Sequence, residues 1–267
     1  MNLETLAVLE TGPVALTPTS ETKGREVKLK VFWKTVRHWT DAFISDFQTS
    51  TPKIIQKLEE EGYWSKDGAI KNHVFTCEDF AIRILCEFAT PRGLPVKLRT
   101  GVRTYRNMEL YTPQEHDRYL SHMYGFSEMV MLTFGAPDMQ RVEENTLSVV
   151  NVDNLLQGDI LAQAHDRTTG IAHHIQIVTE RADNTISIKQ GNTSGASFRP
   201  VTTIKRMLGS NMADPQSDGY AGMSIESGHY EKLEDGWRYH NTTKGTSTND
   251  FLKIFQFYRW NFMEFNK

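Results

Sequence analysis

Three features of this 267-residue chain predict an α+β fold, with N-terminal helices packed on a twisted antiparallel sheet. Apolar residues early in the chain recur at three- to four-residue spacing, the period of an amphipathic helix. After Gly158 the texture changes to short β-branched runs separated by turn residues. Near the end, Phe255-Gln256-Phe257-Tyr258-Arg259-Trp260 has the alternation of a strand that closes a sheet.

Residues 1–24, rich in Thr, Pro, Gly and Glu, read as a loose lead-in. Residues 25–267 read as one domain, with a helical extension over 25–65 and an inserted helical region over 103–150. Phe32, Val36, Trp39, Phe43 and Phe47 mark a first helix from about Val27 to Phe47. Ser50-Thr51-Pro52 starts a second, carrying Ile54, Ile55 and Leu58 and ending near Gly62. A third runs from Thr76 to about Ala89, where Thr90-Pro91-Arg92-Gly93 stops it, and Leu94 to Leu98 is extended. Thr112-Pro113-Gln114-Glu115 starts a fourth, running with a break at Gly125 towards Phe134-Gly135. Asp159–Ala164, His174–Thr179 and Thr185–Gln190 are strands, the last two joined by a hairpin turn at Arg181-Ala182-Asp183-Asn184. Residues 205–250, polar and Gly-rich, are expected to be loops flanking a groove, and Phe251 to Phe262 is the closing strand.

A net charge of −3 argues against a generic nucleic-acid binder, which is usually strongly basic. No run of about 18 apolar residues suits a membrane span. Met1-Asn2-Leu3-Glu4-Thr5 lacks the basic and apolar regions of a secretory signal. Synthesis in the cytoplasm is expected, with any export by a non-classical route. The two cysteines, Cys77 and Cys86, fall on one expected helix, roughly 13–14 Å apart along its axis. A disulfide needs Cα atoms within about 7 Å, so they do not pair with each other.

Cys77 stands in the first turn of the third helix, with Thr76 as cap and Asp79 able to complete a capping box. Unpaired N–H groups and the helix dipole there favour a thiolate, which lowers the thiol pKa. Glu78 opposes that if its carboxylate points inward. Cys86, on the opposite face and without a cap, reads as a core residue.

A cysteine nucleophile needs a His within hydrogen-bond reach and a third group to orient the ring. Of nine His, His38, His73, His116, His122, His229 and His240 read as surface or loop residues, and His165 beside Asp166 is a weak candidate. His173 and His174 open the most β-like segment, His174 on the face of Gln176 and Val178, His173 on that of Ile175 and Ile177. Periodicity does not choose between them. Gln190 and Asn192, two apart on the next strand, can each accept from the imidazole. Asp159, after a Gly, reads as a turn residue. Metal binding by His165, Asp166, His173 and His174 is disfavoured, because adjacent strand residues point to opposite faces.

A helix-start Cys77, Gly158-Asp159-Ile160-Leu161, His174-Ile175-Gln176-Ile177-Val178 and Gln190-Gly191-Asn192, in that order, resemble the papain-like cysteine amidase and peptidase superfamily. The nearest branches are the CHAP amidases and NlpC-type cell-wall peptidases, and the resemblance covers about residues 77–192. It implies a papain-like fold and a cysteine amidase or peptidase without cofactor or metal. Cys77 would be the nucleophile, His174 the base, and Gln190 and Asn192 the orienting and oxyanion-supporting residues. Gln190 stands where the CHAP pattern usually carries Glu.

The substrate implied is a peptidoglycan stem peptide or its amide links. A phage lysin or an injected bacterial effector toxin fits an enzyme made without a signal. Partners would then include an immunity protein or delivery machinery, with neither nucleic acid nor membrane insertion. The stretch Cys77-Glu78-Asp79-Phe80-Ala81 with Gly93-Leu94-Pro95-Val96 also resembles transglutaminase-type enzymes, implying a deamidase or transglutaminase acting on proteins. A non-catalytic peptide-binding module on the same scaffold is the remaining alternative.

Overall fold

The computed structural model describes residues 27–61, 74–164, 170, 173–192, 220 and 222–267. Expectations for the lead-in 1–24, the helix end at Gly62, His73, His165, Asp166 and residues 193–219 lie outside these.

In chain order, β1 (Leu29–Val31) leads into α1 (Asp41–Glu61), and β2 (Val74–Phe75) into α2 (Cys77–Arg92). Next come β3 (Lys97–Arg99), β4 (Thr104–Arg106), β5 (Met108–Leu110), α3 (Pro113–His116) and α4 (Met123–Val130). The strands β6 (Thr146–Ser148), β7 (Ile160–Gln163), β8 (His174–Ala182) and β9 (Thr185–Gln190) follow. The chain ends with β10 (Met223–Ser224), β11 (Glu226–Leu233), β12 (Gly236–Asn241), β13 (Thr246–Asn249), β14 (Phe255–Trp260) and α5 (Phe262–Phe265).

This is an α+β architecture dominated by an eight-stranded antiparallel sheet of order β13-β12-β11-β9-β8-β7-β14-β6. The period of two along each strand divides the core. Ile160, Ala162, Ile175, Ile177, Tyr258 and Trp260 pack with the helices, whereas Leu161, Val178, Ile186, Ile188, Tyr230, Tyr239 and Phe255 build a second cluster. Trp39, just before α1, stacks on Phe88 of α2 with centroids 5.6 Å apart, and Phe47 of α1 meets the same ring edge-on at 5.4 Å. Among the described residues no helix is long and apolar enough to cross a membrane.

Four expectations change. Residues 27–38 are not helical: β1 pairs with β5, Phe32 and the adjacent Trp33 both pack on Phe126, and Val36 is 72% exposed. Pairing with β5 holds the start of this segment extended, and the exposed Val36 breaks the apolar stripe a helix would need. The two helices expected around Ser50-Thr51-Pro52 are a single α1. Pro52 withdraws one N–H from its ladder, and nearby hydroxyls back-bond to the helix, Thr51 Oγ1 to Phe47 O (2.9 Å) and Thr49 Oγ1 to Ser45 O (3.1 Å).

The helical insertion over 103–150 begins instead with β4 and β5, and its fourth helix breaks at 117–122, before Gly125. There the chain folds back so tightly that a Cβ on Gly125 would lie 2.1 Å from Leu120 O. The loops expected up to residue 250 are, where described, β10 to β13. Tyr230 and Tyr239 point into the core, while the paired His229 and His240 occupy the other face, so polar residues there mark an open sheet face.

Candidate functional site

Cys77 is set by the first turn of α2. Thr76 is extended (φ −73°, ψ 165°) and its hydroxyl accepts from Asp79 N–H at 3.4 Å. The expected return bond from the Asp79 carboxylate to Thr76 N–H is not direct. The Tyr220 hydroxyl stands between them, accepting from Thr76 N–H (2.9 Å) and donating to Asp79 Oδ2 (2.9 Å). Ser127 donates to Asp79 Oδ1 at 3.4 Å. Burial pushes this carboxyl up to about 7, against the pull of Arg83 and the Tyr220 bond.

The Cys77 side chain is buried, and its thiol donates to Glu78 Oε2 at 3.0 Å. The backbone N–H groups of Ile175 and of Glu78 favour the thiolate. They do not win. Burial first, then the Glu78 carboxylate, hold the thiol well above its ordinary range, which corrects the lowered pKa expected from the helix start. Cys86 is fully buried in the core, where burial raises its thiol too.

The end of β9 turns in to meet this loop. Asn192 N–H donates to Phe75 O at 3.1 Å, and a Cβ on Gly191 would fall 2.4 Å from Thr76 O. Only glycine allows that backbone approach. Ile175 N–H, beside His174, is the β8 group that favours the Cys77 thiolate. His174 Nε2 lies 3.0 Å from Gln190 Oε1, to which Gln176 Nε2 also donates (2.8 Å). Tyr230 OH donates in turn to Gln176 Oε1 (2.7 Å). Alternation places His173 on the face of Ile175 instead. Burial lowers the pKa of His174; the Gln190 bond opposes this, and His173 and Lys244 reinforce it.

Thus the structure unites His174 with Gln190, and places Cys77 in one core cluster with Ile175, the residue after His174. The Asn192 amide goes to Glu226 Oε1 (3.3 Å). Sequence reasoning missed Glu226, a buried carboxylate that also accepts from Gln190 Nε2 (2.9 Å) and Asn241 Nδ2 (2.9 Å) and pairs with Lys244 (2.6 Å). Its signal was the alternation Glu226-x-Gly228-x-Tyr230, overlooked inside a segment read as loops. Tyr220 had no comparable signal.

Several residues set aside prove structural. His116, expected among the surface or loop residues, is buried against Glu109 (2.6 Å), and His122 caps α4. His229 and His240 stack across β11 and β12 at 4.9 Å. Asp159 does serve a turn, accepting from Leu156 N–H (2.8 Å) and pairing with Arg259. Among the described residues no three metal-capable side chains converge.

No protein-family model, curated protein or solved structure matches this chain.

Proposed function

We propose that the protein is a cysteine-dependent amidase or peptidase on a papain-like scaffold, with Cys77 as nucleophile and His174 as base. One observation carries the reading: Cys77 opens the capped helix α2 in the same core cluster as Ile175, the residue that follows His174 and whose N–H favours the thiolate. A thiol at a capped helix start, on a helix packed against the strand that carries His174, suits a nucleophile better than a mid-helix packing thiol does.

Glu78 holds the resting thiol protonated, and a substrate that displaces its carboxylate frees the proton for His174. The thiolate then attacks an amide carbonyl, and N–H groups of the first turn of α2 hold the oxyanion. The imidazolium returns its proton to the leaving amine, and water hydrolyses the thioester. Gln190 orients the ring, and Asn192 supports it through Glu226.

The substrate class that the family resemblance suggests is the peptidoglycan stem peptide, and a lysin or injected effector toxin is the corresponding role. Mass analysis of muropeptides after incubation should show a cleaved amide with the wild-type protein and none with Cys77→Ala of unchanged fold. Full activity in Cys77→Ala would remove the proposal. Ammonia release from protein glutamine, without muropeptide cleavage, would move it to the deamidase form. The raised thiol pKa favours a second reading, a non-catalytic peptide-binding module. Muropeptide binding without turnover, equal in wild type and Cys77→Ala, would support that one.

A further inference from the structure

Gln190 can orient an imidazole only if its own amide is held one way round, since its oxygen accepts and its nitrogen donates. His174 and Gln176 meet one end of that amide, and Glu226 the other. An ionised carboxylate accepts only, so the end facing Glu226 must be Nε2. The reverse orientation would set the Gln190 oxygen against a carboxylate and its NH2 against the Gln176 NH2. With Oε1 fixed on His174, the ring nitrogen at 3.0 Å must be the protonated one.

We infer that Glu226 is a positioning residue: by holding the Gln190 amide it places the His174 proton on Nε2 and leaves Nδ1 as the basic nitrogen. Its role in turnover rests on the cysteine-hydrolase reading; the tautomer does not. Tyr230 cannot make this choice, because a hydroxyl both donates and accepts.

Glu226 is built to stay ionised. It is 3% exposed yet takes Gln190 and Asn241 on Oε2, and Asn192 and Lys244 on Oε1. Burial alone would raise its pKa, but Lys244, Asn241 and Gln190 together bring it below the usual value. Lys244 is anchored by its own N–H to Asn241 Oδ1 (2.9 Å) in the β12–β13 turn. A charge that a Glu at position 190 would place on the ring is instead relayed through one amide. The other ionisable groups acting on His174 are His173 on its own strand and Lys244 from that turn.

Histidine 15N NMR of the full chain, at a pH where His174 is neutral, tests this directly. His174→Ala assigns the signal. A ring protonated on Nε2 in wild type, losing that single signature in Glu226→Gln, is the expected result, because a Gln at 226 can accept or donate. A wild-type ring protonated on Nδ1, or an unchanged tautomer in folded Glu226→Gln, would overturn the inference. A merely structural role would lower the melting temperature of Glu226→Gln without moving the tautomer, and so would overturn it too. If wild type shows the Nε2 tautomer while Cys77→Ala retains full activity, the hydrolase reading falls and the inference stands.

Discussion

At Cys77 two opposing influences act on one sulfur. Charge stabilisation at a helix start contributes about 0.3–1 kcal/mol, and up to about 2 in partly buried sites. Full burial shifts a titrating group by up to about 3–5 pKa units, each about 1.4 kcal/mol. Burial therefore prevails, and Glu78 adds to it from 3.0 Å. Glu78→Gln keeps a hydrogen-bond partner but removes the charge. It should lower the thiol pKa and so speed iodoacetamide alkylation of Cys77 about tenfold at pH 7, read in a Cys86→Ala background. Unchanged alkylation would mean that Glu78 does not hold the thiol. Cys77 and its cap were legible in the sequence because capping is local chemistry. Whether Glu78 turned inward was not, because a first-turn Glu can face solvent or a neighbour.

At the scale of elements, Thr185–Gln190 was legible to the residue, whereas the strand starting at His174 runs three residues past the expected Thr179, which leaves only Asp183-Asn184 in the hairpin turn. The first helix was misread because Phe32 and Trp33 are buried by β5 and α4, partners distant in sequence. The start of α2 also depends on a distant residue, Tyr220, which closes the cap onto Asp79.

Asp79 ties that cap to pH. Unfolded, its carboxyl ionises near 3.8; folded, it keeps its proton to about 7. Between these values the folded state binds more protons, so stability falls as pH rises and levels off above about 7. Three units correspond to a fall on the order of 4 kcal/mol. Asp79→Asn should abolish most of this slope in urea unfolding between pH 4 and 7. An identical slope in the variant would place the carboxyl in a wetter setting.

For the whole molecule, one continuous sheet assembles the site from pieces far apart in the chain. Residues 77, 174, 190 and 226 come from α2, β8, β9 and β11, and the pairing of β11 with β9 sets Glu226 opposite Gln190. The first three could be found in sequence because each sits at an element end with its own local pattern. Glu226 depends on the register of two strands separated by more than thirty residues, and a polar strand on an open face resembles a loop. The account requires Cys77 and His174 to act as a pair.

The most direct measurement is the pH profile of Cys77 alkylation by iodoacetamide from pH 6 to 11, with Cys86→Ala in every protein. Glu78→Gln alone is compared with Glu78→Gln combined with His174→Ala. A paired imidazole predicts that losing His174 moves the thiolate midpoint upward and slows the neutral-pH reaction. Superimposable profiles in the two proteins would contradict the pair and leave Cys77 a packing residue.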